Sequence, residues 1–304
     1  MTDDMTDDMT APVSAPVTDA VTDDLSLPPV AAPYQLPFHY GALHNIGLDF
    51  LVDPAPVRKA LAEHHPDLSA AEFEGRACVT LNYQLYFAQY PNGGGITEEI
   101  ECSVVAYPTA CADRFARLSY EEYAHGHDQT KLLGIARLHV LCDNPLAIEA
   151  GTELYGEPKY PAWFETTLPS LNGPAGDLWT VACKKATHAS SGAAVDREDR
   201  ALFSFSADLT GLPRTSVNNT PITGYGTDQA GRPLAGPMNV YQPYQYIALT
   251  GAAERVRLTV HDLTSAVGAD LTTLVGGAPA VGAWTYQSAP VAAHNRPYYV
   301  PRAG

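Results

Sequence analysis

Short runs in which apolar and polar residues alternate recur along most of the chain. Val256, Leu258 and Val260 hold every second position of one run, the period of a half-buried β-strand. Enrichment in β-branched and aromatic residues predicts further strands over Cys78 to Tyr90, Ile100 to Tyr107, Leu133 to Leu141, Thr180 to Thr187, Leu202 to Leu209, Tyr244 to Leu249 and Trp284 to Ser288. Helical patterns are few. Asp53 followed by Pro-Ala-Pro and then Val57 to His64 reads as a short capped helix with proline in its first turn. Leu263 to Val275 is a second, interrupted by Gly268. Strand after strand without regular helices between them predicts an antiparallel sandwich or barrel.

The pattern is missing at the amino terminus. Residues 1–33 repeat Met-Thr-Asp-Asp and continue as Ala, Pro, Val, Thr and Asp without an aromatic residue. Such a stretch buries too little apolar surface to offset the entropy of ordering, so a disordered acidic tail is expected, followed by one domain over 34–304. The chain carries 34 acidic against 18 basic residues, a net charge of −16. That sign argues against nucleic acid or a membrane surface as partner, since both need clustered Lys and Arg. There is no apolar run of 18 residues, and the acidic start is unlike a secretory signal, so a cytoplasmic location is expected. Cys78, Cys102, Cys111, Cys142 and Cys183 form no Cys-x-x-Cys pair and read as small buried hydrophobes.

Most familiar motifs are absent or incomplete. Gly93-Gly94-Gly95 lacks the spacing of a phosphate loop and reads as a turn. His64-His65 and His125-Gly126-His127-Asp128 have no third ligand at a set spacing, so no metal is expected. Asn218-Asn219-Thr220 fits a glycosylation acceptor only in a secreted protein, and no Gly-x-Ser-x-Gly elbow occurs. Lysine is scarce, and Lys159 stands apart. It lies between Pro158 and Pro161, among Tyr155, Tyr160, Trp163 and Phe164. An ordinary lysine, of pKa about 10.4, is only about 0.04% neutral at pH 7, and only the neutral amine attacks a carbonyl. Burial that lowers the pKa by about 4 units, roughly 5 kcal/mol, would make it a nucleophile. The competing reading is a lysine whose stem packs on the rings while its head stays in water.

Gly151, Glu153, Pro158 and Lys159 resemble the signature of the acetoacetate decarboxylase superfamily, in which a lysine after proline forms a Schiff base with a ketone. Leu138-His139 and Asp143-Asn144 look like the strand and turn before that signature, Thr97-Glu98 resembles its active-site glutamate motif, and Val256 to Tyr299 looks like its closing segment. The resemblance implies a closed, cone-like antiparallel β barrel with few helices, a homo-oligomer, no cofactor, and Lys159 as the nucleophile. It makes Glu98 the general acid or base, with Glu99 or Glu101 in its place if the register differs. His44, Tyr160 and Tyr286 would orient substrate hydroxyl or carboxylate groups, and Glu153 would support the loop or touch substrate.

The chain also departs from the pattern. Thr152 and Tyr160 replace the signature arginine and second lysine, and Gly41-Ala-Leu-His44-Asn has no arginine where decarboxylating members carry one for the substrate carboxylate. Similar sequences in the superfamily act as aldolase-dehydratases or cyclases of oxo acids in natural-product pathways. The expectation is therefore a Schiff-base lyase or cyclase acting on an oxo acid or other carbonyl compound. A β-keto acid decarboxylase and a non-catalytic small-molecule-binding barrel are the alternatives.

Overall fold

A computed structural model describes residues 27–91, 93–114, 117–128, 130–218, 222–238, 243–293, 295–296 and 299. Most of the expected amino-terminal tail lies outside these residues. From Ala31 onward the chain forms one compact unit.

The strands are β1 (Tyr40–Val52), β2 (Leu68–Ala70), β3 (Glu72–Phe73), β4 (Arg76–Tyr90), β5 (Gly93–Pro108), β6 (Gly134–Cys142), β7 (Lys159–Thr167), β8 (Leu178–His188), β9 (Val195–Asp208), β10 (Thr215–Asn218), β11 (Ile222–Thr227), β12 (Pro233–Met238), β13 (Pro243–Ala248), β14 (Val256–Val260) and β15 (Ala280–Gln287). The helices are α1 (Pro54–His64), α2 (Tyr120–Ala124), α3 (Pro145–Tyr155) and α4 (Ala266–Leu274). All eight strands and both helices read from the sequence are present. Two capped helices escaped that reading. Ser119 and Glu122 form a capping box on α2, and α3 starts at Asn144 and Pro145 and ends at Gly156 in the left-handed conformation, φ 62°.

The strands form a large mixed sheet whose main path runs β10-β13-β15-β1-β4-β5-β6-β7-β8-β9-β14. Among the described residues no ladder joins β14 back to β10, so the expected closed barrel is not what the hydrogen bonding builds. Nor is the sheet wholly antiparallel: β6 pairs in parallel with both β7 and β11. The parallel β6–β7 pair needs a crossover, and α3 supplies it.

Alternation gives the central strands two different faces. Ile46, Leu48 and Phe50 of β1 and Val79, Leu81 and Tyr83 of β4 enter the largest apolar core, with Trp179, Phe203 and residues of α1 and α4. The opposite face carries Asn45 and Asp49 of β1, Thr80, Asn82 and Gln84 of β4, and Glu99, Glu101 and Ser103 of β5, all buried. Burying so many polar groups is costly unless they are paired. This second face therefore needs an explanation that packing does not supply.

Candidate active site

Lys159 is the first residue of β7, delivered by α3 and the short Gly156-Glu157-Pro158 turn. It pairs with Val140 of β6, which itself pairs with Glu101. That register turns the Lys159 side chain to the polar face. Its Nζ lies 2.6 Å from Glu99 Oε2 and 3.3 Å from Glu157 Oε2. Tyr86 donates to Glu99 Oε2 at 2.9 Å. Arg137 joins the cluster, with Nε 2.7 Å from Glu101 Oε1 and Nη1 3.8 Å from Glu157 Oε1. The five side chains are between 4% and 14% exposed, so three carboxylates and two cations share one largely buried cluster.

A bulge brings Arg137 there. His139 sits opposite Cys102 on the core face, and simple alternation would send Arg137 the same way. The β5–β6 register shifts between Cys102 and Ser103, so Arg137 faces Ser103 and the polar side instead. Two glycines leave the necessary room. A methyl group at Gly151 would press on the Glu157 carboxylate and come within 2.8 Å of Lys159 Cδ, and one at Gly224 would overlap the Arg137 guanidinium.

The electrostatics differ from those expected of a lysine among aromatic rings. Burial pulls the Lys159 ammonium toward its neutral form, but the Glu99 and Glu157 carboxylates outweigh burial and hold it well above the ordinary lysine value. Resting Lys159 is an ammonium. Burial raises the Glu157 carboxyl, yet Lys159 and Arg137 bring it below its usual range. Burial dominates at Glu101 and pushes it up in spite of Arg137.

A cavity of about 60 Å3 lies over this cluster, bounded by Tyr40, Gln84, Tyr86, Glu99, Arg137, Glu157 and Lys159 among others. It adjoins an outer cavity of about 540 Å3 that shares Phe38, Tyr40, Arg137, Tyr155, Glu157 and Met238 and adds Leu43, Tyr286 and Ser288. Tyr286 pairs with Asn45 on the polar face and stands edge-on to Tyr244.

The other expected site residues are elsewhere. Glu98 points to the opposite face of β5, where it accepts from Tyr83 at 2.6 Å and Thr166 at 3.3 Å. His44 pairs with Leu85 on that same face; its Nδ1 has no partner among the described residues, and burial lowers its pKa, leaving it neutral. Tyr160 packs on the apolar core and meets His139 Nδ1 at 3.1 Å, while His139 Nε2 lies 2.8 Å from Asp270. Glu153 is exposed on α3. The residues that do face Lys159 include Glu99 and Glu101, the alternatives to Glu98. They also include Glu157 and Arg137, which sequence reasoning missed. Glu157, two residues before the lysine, was open to notice; the bulge that aims Arg137 leaves no trace in sequence spacing.

Among the described residues, no group of three or more His, Cys, Asp or Glu is placed to hold a metal, and no helix is long and apolar enough to cross a membrane.

Comparison with solved structures places this architecture among the acetoacetate decarboxylase-like folds. The enduracididine biosynthesis enzyme MppR, complexed with the condensation product of pyruvate and imidazole 4-carboxaldehyde, matches with a TM-score of 0.54 at 13% identity over 84% of this chain and 86% of that one. The same enzyme with HEPES buffer bound matches at 0.55 and 13% over 88% and 94%. An acetoacetate decarboxylase-like enzyme from Sphingomonas wittichii RW1 matches at 0.52 and 12% over 82% and 88%. At such identities the likeness is one of fold. No protein-family model matches the sequence, and no curated protein matches it.

Proposed function

We propose that this chain is a lysine Schiff-base enzyme of the acetoacetate decarboxylase-like superfamily, acting on an oxo acid or other carbonyl compound by aldol condensation, dehydration or cyclisation. The observation that carries the reading is the Lys159 ammonium held 2.6 Å from Glu99 at the floor of a small buried cavity. A snorkelling lysine would keep its head in water; this one is 5% exposed.

Burial alone does not make this amine a nucleophile. Glu99 must take the ammonium proton as the substrate carbonyl arrives, and Tyr86 steadies the carboxylate that does so. The neutral amine then adds to the carbonyl carbon to give a carbinolamine, and the proton on Glu99 leaves with the hydroxyl as water. The resulting iminium cation sits where the ammonium sat, with the same carboxylates around it. Glu99, again a carboxylate, takes a proton from the adjacent carbon to give an enamine; attack of the enamine on a second carbonyl, within the same molecule or another, leaves an alkoxide that recovers that proton, and water then hydrolyses the iminium to free the product and restore the lysine ammonium.

The fold neighbours are enzymes, one of them a biosynthetic enzyme crystallised with a pyruvate condensation product. That agrees with the condensing branch of the superfamily. Borohydride trapping with pyruvate, followed by peptide mass mapping, tests the proposal. A reduced adduct on Lys159 is expected. Folded protein that forms no adduct with any carbonyl compound would favour the binding-protein alternative, and release of carbon dioxide from β-keto acids would favour the decarboxylase.

A further inference from the structure

Tyr40 opens β1, and a bulge decides where it points. Ala42 pairs with Phe87 but Tyr40 with Ala88, so the β1–β4 register shifts at Gly41. Simple alternation would send Tyr40 to the far face with His44. The shift turns it to the polar face instead, where its ring centroid lies 4.7 Å from that of Tyr86. The residue as a whole is 41% exposed, yet its hydroxyl reaches inward. Burial and the Glu99 carboxylate hold the phenol well above its usual pKa range, with Lys159 opposing them and Glu157 adding to them. Tyr40 thus stays protonated and lies among the groups that carry the lysine chemistry. It is also uncommitted. Tyr86 donates to Glu99 and Tyr90 meets Thr97 at 3.5 Å, whereas the Tyr40 hydroxyl has no hydrogen-bond partner among the described residues. Tyr40 lines both the inner and the outer cavity. Gln84 lines the inner one and not the outer, and Tyr155, which lines both, has Glu157 and Arg137 as its charged neighbours rather than Lys159.

We infer that Tyr40 is a further catalytic residue, whose hydroxyl donates a hydrogen bond to the oxygen of the second carbonyl as the enamine attacks it. The inference rests on the lysine chemistry proposed above and concerns only its C–C bond-forming step. The enamine on Lys159 occupies the inner cavity, so a second carbonyl comes from the outer one, and the two meet where Tyr40 lines both. As the new bond forms between the enamine carbon and the carbonyl carbon, the π electrons of the carbonyl move onto its oxygen. That negative charge develops in a cavity bordered by the Glu157 carboxylate, which opposes it. A fixed neutral donor favours it, and no proton leaves Tyr40. The alkoxide then takes the proton held by Glu99, which closes the balance.

The test sets Tyr40→Phe, which keeps the ring and its packing on Tyr86, against the wild type in three measurements. They are borohydride trapping of pyruvate on Lys159, exchange of the pyruvate methyl hydrogens in heavy water, and condensation of pyruvate with benzaldehyde or acetaldehyde. Trapping and exchange involve no second carbonyl and should stay within about threefold, while condensation should slow on the order of 100-fold, as when one oxyanion donor is removed. A general disturbance of the site would move all three together. Undiminished condensation in Tyr40→Phe, a parallel fall in all three, or a wild type that traps and exchanges pyruvate but condenses it with neither aldehyde would overturn the inference while leaving the lysine chemistry intact. A wild type that forms no adduct and exchanges no hydrogen would overturn both.

Discussion

Lys159→Met removes the buried ammonium and keeps most of the aliphatic stem, so it isolates the charge. Glu99 and Glu157 then lose their nearest counter-ion, at 2.6 Å and 3.3 Å. Stripping one partner from a buried ion pair costs about 3–5 kcal/mol. Here the low end applies, because Glu157 keeps Arg137 at 3.8 Å and Glu99 keeps the Tyr86 hydroxyl at 2.9 Å. A loss of about 3 kcal/mol should lower the melting temperature by roughly 5–10 °C at pH 8. The loss should depend on pH with a definite sign. In the wild type the raised Lys159 pKa contributes stability that is complete below the unfolded value of 10.5, and the lowered Glu157 pKa contributes stability that is complete above 4.5. Both contributions are thus in place between pH 5 and pH 8. In the variant, orphaned carboxylates bind protons more tightly folded than unfolded, so its stability rises as pH falls. Urea denaturation at a series of pH values should show the gap shrinking from about 3 kcal/mol at pH 8 to under about 1 kcal/mol near pH 5. A gap of constant size across that range, or none at pH 8, would refute the charge cluster as the reason Lys159 is buried.

Exchanging the two adjacent glutamates separates the faces of β5. Glu99→Gln should slow trapping about 100-fold or more by removing the proton acceptor; Glu98→Gln should leave trapping within about threefold and cost stability through its Tyr83 bond, about 1–2 kcal/mol by thermal melts. At Gly151, alanine is favoured in a helix by roughly 0.5–1 kcal/mol, but its methyl group presses on Glu157 and Lys159. Gly151→Ala should therefore melt within a few degrees of the wild type yet trap pyruvate on the order of 100-fold more slowly, since a misplaced reacting group costs rate rather than stability. Tyr160→Phe should lose about 1 kcal/mol through its contact with His139 and trap normally, which rapid-quench trapping with pyruvate checks.

The strand content, α1, α4 and the singular position of Lys159 were legible in the sequence, because period-two alternation, helix caps and residue scarcity are local properties. Asn144-Pro145 and Gly156 mark α3 just as locally, as a capped start and a left-handed stop on either side of its eleven residues. The partners of Lys159 were a different matter. Glu98, Glu99 and Glu101 occur within four residues, and a strand's period of two sends the first to one face and the other two to the opposite one. Only pairing with β4 and β6 decides which face meets the lysine. His44 and Tyr160 lie on the far side of β1 and β7 for the same reason. Arg137 depends on a single bulge in the β5–β6 ladder, and whether the sheet closes depends on pairing between strands far apart in sequence. Local chemistry determined that this chain is a β-rich protein with one unusual lysine. Register and one bulge, which are long-range choices made by burial, decided that the lysine is an ammonium among carboxylates with an arginine beside it.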